Sequence, residues 1–299
     1  MLQQFDERNR DLIVNVGGRL AHRDNAGVSP FDSAVQGGDA VWEGLRLYQG
    51  RIFRLGEHLA RLRRSAAALA FAGVPSDEEI TEQLRRTLQA NGMTDEVHIR
   101  LTLTRGVKIT SGMDPRLNQS GPTLIVLAEH KPPVYDQSGL SLITSSVRRP
   151  PPDMLDPKIH HNNLLPSILA KIEANVAGAD DAVMLDARGF VAETNATHLF
   201  LVTAGVLGTP STMACPEGIT RAAVLDIAAE AGIPCRVGDY SLTQCYAADE
   251  VFVTGTMGGL APVTSLDGRV IGTGCPGPVT GRLTGLFAGL TARSGIQVI

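Results

Sequence analysis

The sequence predicts an α+β or α/β protein of two domains, and three observations carry that expectation. Its 299 residues can bury one large core or two medium ones. Stretches of strict apolar alternation are interleaved with stretches in which apolar residues recur at helical spacing. A proline-bearing segment, Glu129-His130-Lys131-Pro132-Pro133-Val134-Tyr135-Asp136, has the composition of a linker. The expected division is a small domain over residues 1–129, a linker over 130–137 and a larger domain over 138–299.

The elements follow in chain order. Residues 12–16, Leu-Ile-Val-Asn-Val, read as a strand ended by Gly17-Gly18. Residues 40–48 alternate and turn at Gln49-Gly50 into Arg51-Ile52-Phe53, a hairpin. Leu55, Leu59, Leu62, Ala66 and Leu69 fall on one helical face, so residues 57–71 are expected to be an amphipathic helix stopped by Gly73 and Pro75. Ser76 is the N-cap of a second helix whose first turn, Asp77-Glu78-Glu79, suits a helix N-terminus. That helix ends at Asn91-Gly92, and 97–104 and 123–128 read as strands. In the second half, strands are expected at 140–144, 182–185, 199–202 and 251–253, with helices at 163–176 and 219–231 in alternation with them. Arg148-Arg149-Pro150-Pro151-Pro152 reads as an extended loop.

Composition narrows the function classes. With 19% charged and 43% apolar residues the chain is an ordinary globular protein rather than a disordered one. A net charge of −4 and a pI near 6.0 provide no general field for nucleic acid or an anionic membrane, so any anion must be held locally. Cys215, Cys235, Cys245 and Cys275 are widely spaced and form neither a disulfide framework nor a zinc motif. The N-terminal run from Met1 has no targeting pattern, and no run of about 18 apolar residues occurs. A cytoplasmic protein is expected.

A few residues could carry chemistry. Lys158 follows Pro157 at the edge of an element, and a lysine in a dry pocket loses its proton readily enough to form a Schiff base; a solvated loop lysine is the plainer reading. Glu217-Gly218-Ile219-Thr220 opens a helix and Thr254-Gly255-Thr256 follows a strand, so both turns offer backbone N–H groups and hydroxyls to a phosphate. Neither has the glycine spacing of a nucleotide motif. Glu193 lies between two strand-like runs. His160 and His161 are adjacent rather than four apart and lack a carboxylate cluster, so no metal site is expected.

In order along the chain, Val41-Trp42-Glu43-Gly44-Leu45-Arg46, Glu57-His58-Leu59-Ala60-Arg61-Leu62, Lys158 with Asn162 and Leu164, Glu193 with Leu199-Phe200, Gly218-Ile219-Thr220-Arg221 and Asp249–Thr256 resemble the fold-type IV, or class IV, pyridoxal-phosphate aminotransferases. The resemblance covers nearly the whole chain and is nearest to branched-chain amino acid aminotransferases. It implies a small N-terminal α/β domain and a larger mixed-sheet domain, with pyridoxal 5′-phosphate as cofactor and an amino acid and a 2-oxo acid as substrates. Lys158 would be the catalytic residue, binding the cofactor as a Schiff base and moving the substrate proton. Glu193 would pair with the pyridine nitrogen. Arg61 would grip the phosphate with Ile219, Thr220 and Thr256, and Asn163 would stand where that family places a tyrosine on the cofactor hydroxyl. Trp42, Gly44, His98, Arg100 and Met257 match the substrate pocket, completed in a homodimer by the partner.

Asn163 and Gly37, where the family usually has aromatic residues, put the substrate's identity in question. The leading expectation is ping-pong transamination between an apolar or branched-chain amino acid and 2-oxoglutarate or pyruvate. A D-amino acid or (R)-amine aminotransferase, elimination of the aminodeoxychorismate lyase type, and a phosphate-binding protein without catalysis are the alternatives.

Overall fold

Strict alternation and helical recurrence both become structure where they are read, in a computed structural model that describes residues 3–299. Met1 and Leu2, which begin the stretch inspected for targeting, lie outside the described residues. In chain order the first elements are β1 (Ile13–Val16), β2 (Arg19–His22), α1 (Ser33–Gly37), β3 (Ala40–Tyr48), β4 (Arg51–Ile52), α2 (Leu55–Ala68), α3 (Asp77–Ala90), β5 (Val97–Thr104) and β6 (Thr123–His130). There follow β7 (Leu140–Thr144), α4 (Pro152–Leu155), α5 (Leu165–Val176), β8 (Asp181–Leu185), β9 (Val191–Thr194), β10 (His198–Thr203) and β11 (Val206–Pro210). The chain closes with α6 (Ile219–Glu230), β12 (Cys235–Gly238), α7 (Leu242–Tyr246), β13 (Glu250–Gly255), β14 (Gly259–Leu266), β15 (Arg269–Val270), α8 (Pro278–Arg293) and β16 (Ile296–Gln297).

The chain divides into two compact units, with one break between Pro132 and Pro133. The smaller takes the first part of the chain up to Pro132, and also two later segments that the sequence assigns to the second half, Ile159–Asn163 and Thr291–Ile299. Both return for backbone reasons. Residues 159–163 lie against the start of β3, where the Trp42 N–H donates to the His160 carbonyl and the Asn162 N–H to the Ala40 carbonyl. Strand β16 pairs with β4.

The smaller unit is a seven-stranded sheet in the order β16-β4-β3-β5-β6-β1-β2. Its two faces have different jobs because side chains alternate along a strand. Val41, Leu45 and Leu47 of β3 and Ile99 and Leu101 of β5 bury against Leu59 and Leu62 of α2 and Ile80, Leu84 and Leu88 of α3. Trp42, Gly44 and Arg46 point the other way, opposite Thr102, Arg100 and His98 in register. Helix α3 starts where expected, with Ser76 and Glu79 forming a capping box that satisfies two end N–H groups.

The larger unit is a nine-stranded mixed sheet ordered β12-β11-β10-β13-β14-β7-β8-β9, with β15 on β14. Helix and strand do not alternate as simply as the sequence suggests, since β8 to β11 follow one another without a helix. Helix α5 begins at Leu165 rather than at Asn163, because Pro166 occupies its first turn, where a missing N–H costs nothing. Ala170 and Ala174 turn toward β8, with Ala182 and Met184, while Leu165, Ile168, Leu169, Ile172 and Val176 are each at least 51% exposed. No helix among the described residues is long and apolar enough to cross a membrane.

Candidate active site

The larger unit brings together Lys158, Glu193 and the Gly218 turn. Glu193 lies on β9 opposite Met184 of β8, and its side chain is buried. A buried carboxylate needs a compensating charge, and Arg149 provides it: Nη2 stands 2.7 Å from Oε1 of Glu193. Arg149 is fixed in turn by its backbone N–H on the Leu185 carbonyl and by side-chain donation to the Ala214 carbonyl and the Ser167 hydroxyl. In the sequence Arg149 belongs only to an extended loop. Its position beside Glu193 arises from pairing distant along the chain, and no local signal marks it.

Lys158 stands exposed on the surface rather than in a dry pocket. Its backbone N–H is held by the Asp156 carboxylate in a tight turn, its side chain is 45% exposed, and Nζ lies 4.0 Å from Oε1 of Glu217. The reason is local: the lysine stands on a loop between α4 and α5, next to a carboxylate that attracts its amine.

Glu217 leads into α6, whose N-cap is Gly218, and no side chain among the described residues caps this end. The first N–H groups of the helix are therefore not taken up by a capping side chain and, with the helix dipole, suit an anion. Thr220, nearly buried, sits in the first turn. Thr256 and Met257 form the turn between β13 and β14, after Thr254, whose buried hydroxyl has no hydrogen-bond partner among the described residues.

The remaining expected residues lie in the smaller unit. Arg61 of α2 and Glu43 of β3 are both buried on the helix-covered face, where Nε and Nη2 of Arg61 donate to the two carboxylate oxygens at 2.8 and 2.6 Å. His58 Nδ1 stands 2.6 Å from the same carboxylate. Burial alone would raise the Glu43 carboxyl, but the charge of Arg61, aided by His160, holds it well below the usual range. Glu43 therefore fixes the direction of the Arg61 guanidinium.

On the opposite face lie Trp42, Gly44, His98 and Arg100, on the paired strands β3 and β5. The Arg100 guanidinium lies 3.4 Å above the Trp42 ring centroid and donates to the Asn162 side chain at 2.8 Å. His160 also stacks on the indole, with 4.1 Å between ring centroids. Burial lowers the Arg100 pKa to about 10. His98 is buried rather than solvated; burial first, then the charges of Lys131, Arg46 and Arg100, press its pKa down to about 3, so its imidazole is neutral. Asn163 donates its amide to the Gly38 carbonyl at 3.3 Å. Gly38 is left-handed at φ 67°, and a Cβ there would stand 2.8 Å from the Asn163 side-chain oxygen.

The chain belongs to the amino-transferase class IV family, whose profile matches residues 40–266. It is 55% identical over 291 residues to branched-chain-amino-acid aminotransferase-like protein 2 of Arabidopsis thaliana, covering 97% of this chain but 52% of that one, so the chain spans about half the length of that relative. It is 33% identical to the D-alanine aminotransferase of Bacillus licheniformis, over 90% of this chain and 93% of the other. Among solved structures, the Escherichia coli branched-chain amino acid aminotransferase superposes with a TM-score of 0.88 at 31% identity, covering 94% of this chain and 95% of the other. The branched-chain amino acid aminotransferase of Thermobaculum terrenum in its PLP form superposes with a TM-score of 0.85 at 27% identity, covering 95% of each chain. The two-domain α+β fold is that of these aminotransferases.

Proposed function

We propose that this chain is a pyridoxal-5′-phosphate-dependent transaminase that passes the amino group of an apolar or branched-chain amino acid to a 2-oxo acid such as 2-oxoglutarate or pyruvate, in two alternating half-reactions. One observation carries the reading: an amine, a buried carboxylate and an uncapped helix N-terminus, Lys158, Glu193 and Gly218–Thr220, occur together in one unit of a class IV family chain.

These groups suit the cofactor by their chemistry. The first turn of α6 with Thr220 and Thr256 presents donors to a phosphate, and Glu193 presents an anion to a protonated ring nitrogen. When bound, pyridoxal phosphate supplies an aldehyde that takes up amines and a ring that accepts electrons. Lys158 Nζ would provide the amine that holds the cofactor and, once displaced by substrate, would carry the proton between the substrate Cα and the cofactor C4′. Arg149 keeps the Glu193 carboxylate oriented. Arg61, aimed by Glu43, is assigned to the phosphate, Asn163 to the cofactor hydroxyl, and Trp42, Gly44, His98, Arg100 and Met257 to the substrate. Neutral His98 adds no charge beside the substrate, whereas Arg100 offers a cation to a carboxylate.

The likeness to a D-alanine aminotransferase favours a second reading, transamination of D-amino acids, by the same residues. The protein is assigned to the cytoplasm, in keeping with four free cysteines. It is assigned to a homodimer on the exposed face of α5. Five apolar side chains there carry no charge, and the flanking Lys171 and Glu173 are already engaged by Asp180, Asp181, Ser145 and Ser146. Such a face is complementary to a second copy of itself.

The test is spectroscopic. Purified protein with pyridoxal phosphate is expected to show a visible band that Lys158→Ala abolishes while circular dichroism stays unchanged. L-leucine, L-alanine and D-alanine are then added separately without an oxo acid; the donor that bleaches the band identifies the substrate. Protein that stays colourless with added cofactor overturns the reading.

A further inference from the structure

His198 opens β10 and lies opposite Thr254 of β13 in register, with only 9% of its surface exposed. Its ring has neighbours on both edges. Nδ1 is 3.9 Å from Sγ of Cys215. On the other edge, Cδ2 and Nε2 come so close to Gly218 that a Cβ built there would stand 2.2 Å from each. Gly218 has φ −67° and ψ 127°, which any residue can adopt, so the backbone does not demand glycine; the imidazole does. Side-chain ligand atoms of Glu193, His198 and Cys215 all lie within 4.8 Å of one another. The grouping has the chemistry of a soft-metal site, yet the Arg149 cation already on Glu193 opposes a second cation there.

We infer that His198 is a positioning residue that joins the Glu193 carboxylate to the Gly218 turn, so that one imidazole sets the spacing between the group for the cofactor's ring nitrogen and the group for its phosphate. The inference rests on the transaminase reading. Each contact has a consequence. Against Gly218 the ring holds the first turn of α6 at a fixed height, and beside Glu193 it limits the positions open to the carboxylate that Arg149 grips. Cys215 backs the ring as a neutral thiol, because burial and then the charge of Glu193 push its pKa far up.

The test is a mutant cycle on full-length protein, read by the dissociation constant for pyridoxal phosphate, the position of the visible band, and the melting temperature without cofactor. Gly218→Ala drives a methyl group into the imidazole and should weaken cofactor binding about tenfold or more. His198→Ala should weaken it by a similar factor and shift the band, because the carboxylate loses its neighbour. In the double variant the methyl group enters the space that the imidazole leaves, so the combined loss should fall well short of the product of the two. His198→Asn, with a smaller polar side chain, should bring the band back toward that of the unmodified protein, a return that packing alone would not produce. It also replaces His198→Ala in the cycle if that variant does not fold. Independent, multiplying effects with an unmoved band overturn the assignment of His198. A failure of the unmodified protein to bind the cofactor at all overturns the transaminase reading instead, so the two failures are distinct.

Discussion

At the scale of residues, the buried Glu43 and Arg61 pair makes an energetic claim. Glu43→Gln leaves the Arg61 charge buried without its counterion, which should cost about 3–5 kcal/mol at neutral pH, measured by urea denaturation. The sign of the pH dependence follows from the direction of the shift. The folded carboxyl titrates below its unfolded value of about 4.3, so its contribution is complete above that pH and is lost as pH falls through the folded value. The gap between parent and variant should therefore narrow in acid, and a gap that widens would refute the assignment. For chemistry, Glu193→Gln should keep cofactor binding within about tenfold while turnover falls on the order of 10²–10³. Near-normal turnover would mean that another group serves the ring nitrogen. Lys158, Glu193, Ile219 and Thr220 can be named from the chain because they sit in short runs that a family resemblance identifies. Arg149, His198 and Cys215 carry no such signal: the backbone bond from Arg149 to Leu185 of β8 sets it beside Glu193, and His198 meets Cys215 only through the folding of the loop ahead of α6.

At the scale of elements, the legible ones have a clear period and clean ends. β3, β5 and β6 alternate, and α2 and α3 carry apolar stripes with a cap or a stop. The others have their period broken. Helix α8 bears Gly281, Gly285 and Gly289, each unfavourable in a helix by about 1 kcal/mol relative to alanine, and β14 contains Pro262. Strands β4 and β16 have two residues each, too short to show any period. Helix α5 is legible as a helix, but its composition does not say which face stays uncovered. The structure does, and the expected outcome is specific: the parent protein sediments as a dimer, and Ile168→Asp with Ile172→Asp sediments as a monomer with its circular dichroism intact. A monomeric parent at micromolar concentration would remove the dimer proposal.

At the scale of the whole molecule, the proline-rich stretch near the middle of the chain is where the first break falls, yet no composition signal marks the later returns of Ile159–Asn163 and Thr291–Ile299. Both are held by backbone pairing and by a few apolar contacts such as Val298, which is buried in the smaller unit's core. Removing residues 291–299 should therefore destabilise the smaller unit and leave the larger one folded. Hydrogen exchange can check this: protection should fall in β3, β4 and α2 and persist in β10 and β13. Uniform loss in both units would contradict it.

The pairing of β16 with β4 also sets a timetable for synthesis. Strand β4 emerges from the ribosome more than two hundred residues before its partner, since residues 51–52 pair with 296–297. At roughly 5–20 residues per second, that edge of the smaller sheet stays unpaired for about ten to fifty seconds while the residues between the two strands are made. During that interval the nascent protein exposes a strand edge that a neighbouring copy or a chaperone could occupy, so β16 acts as a late seal on a sheet begun much earlier.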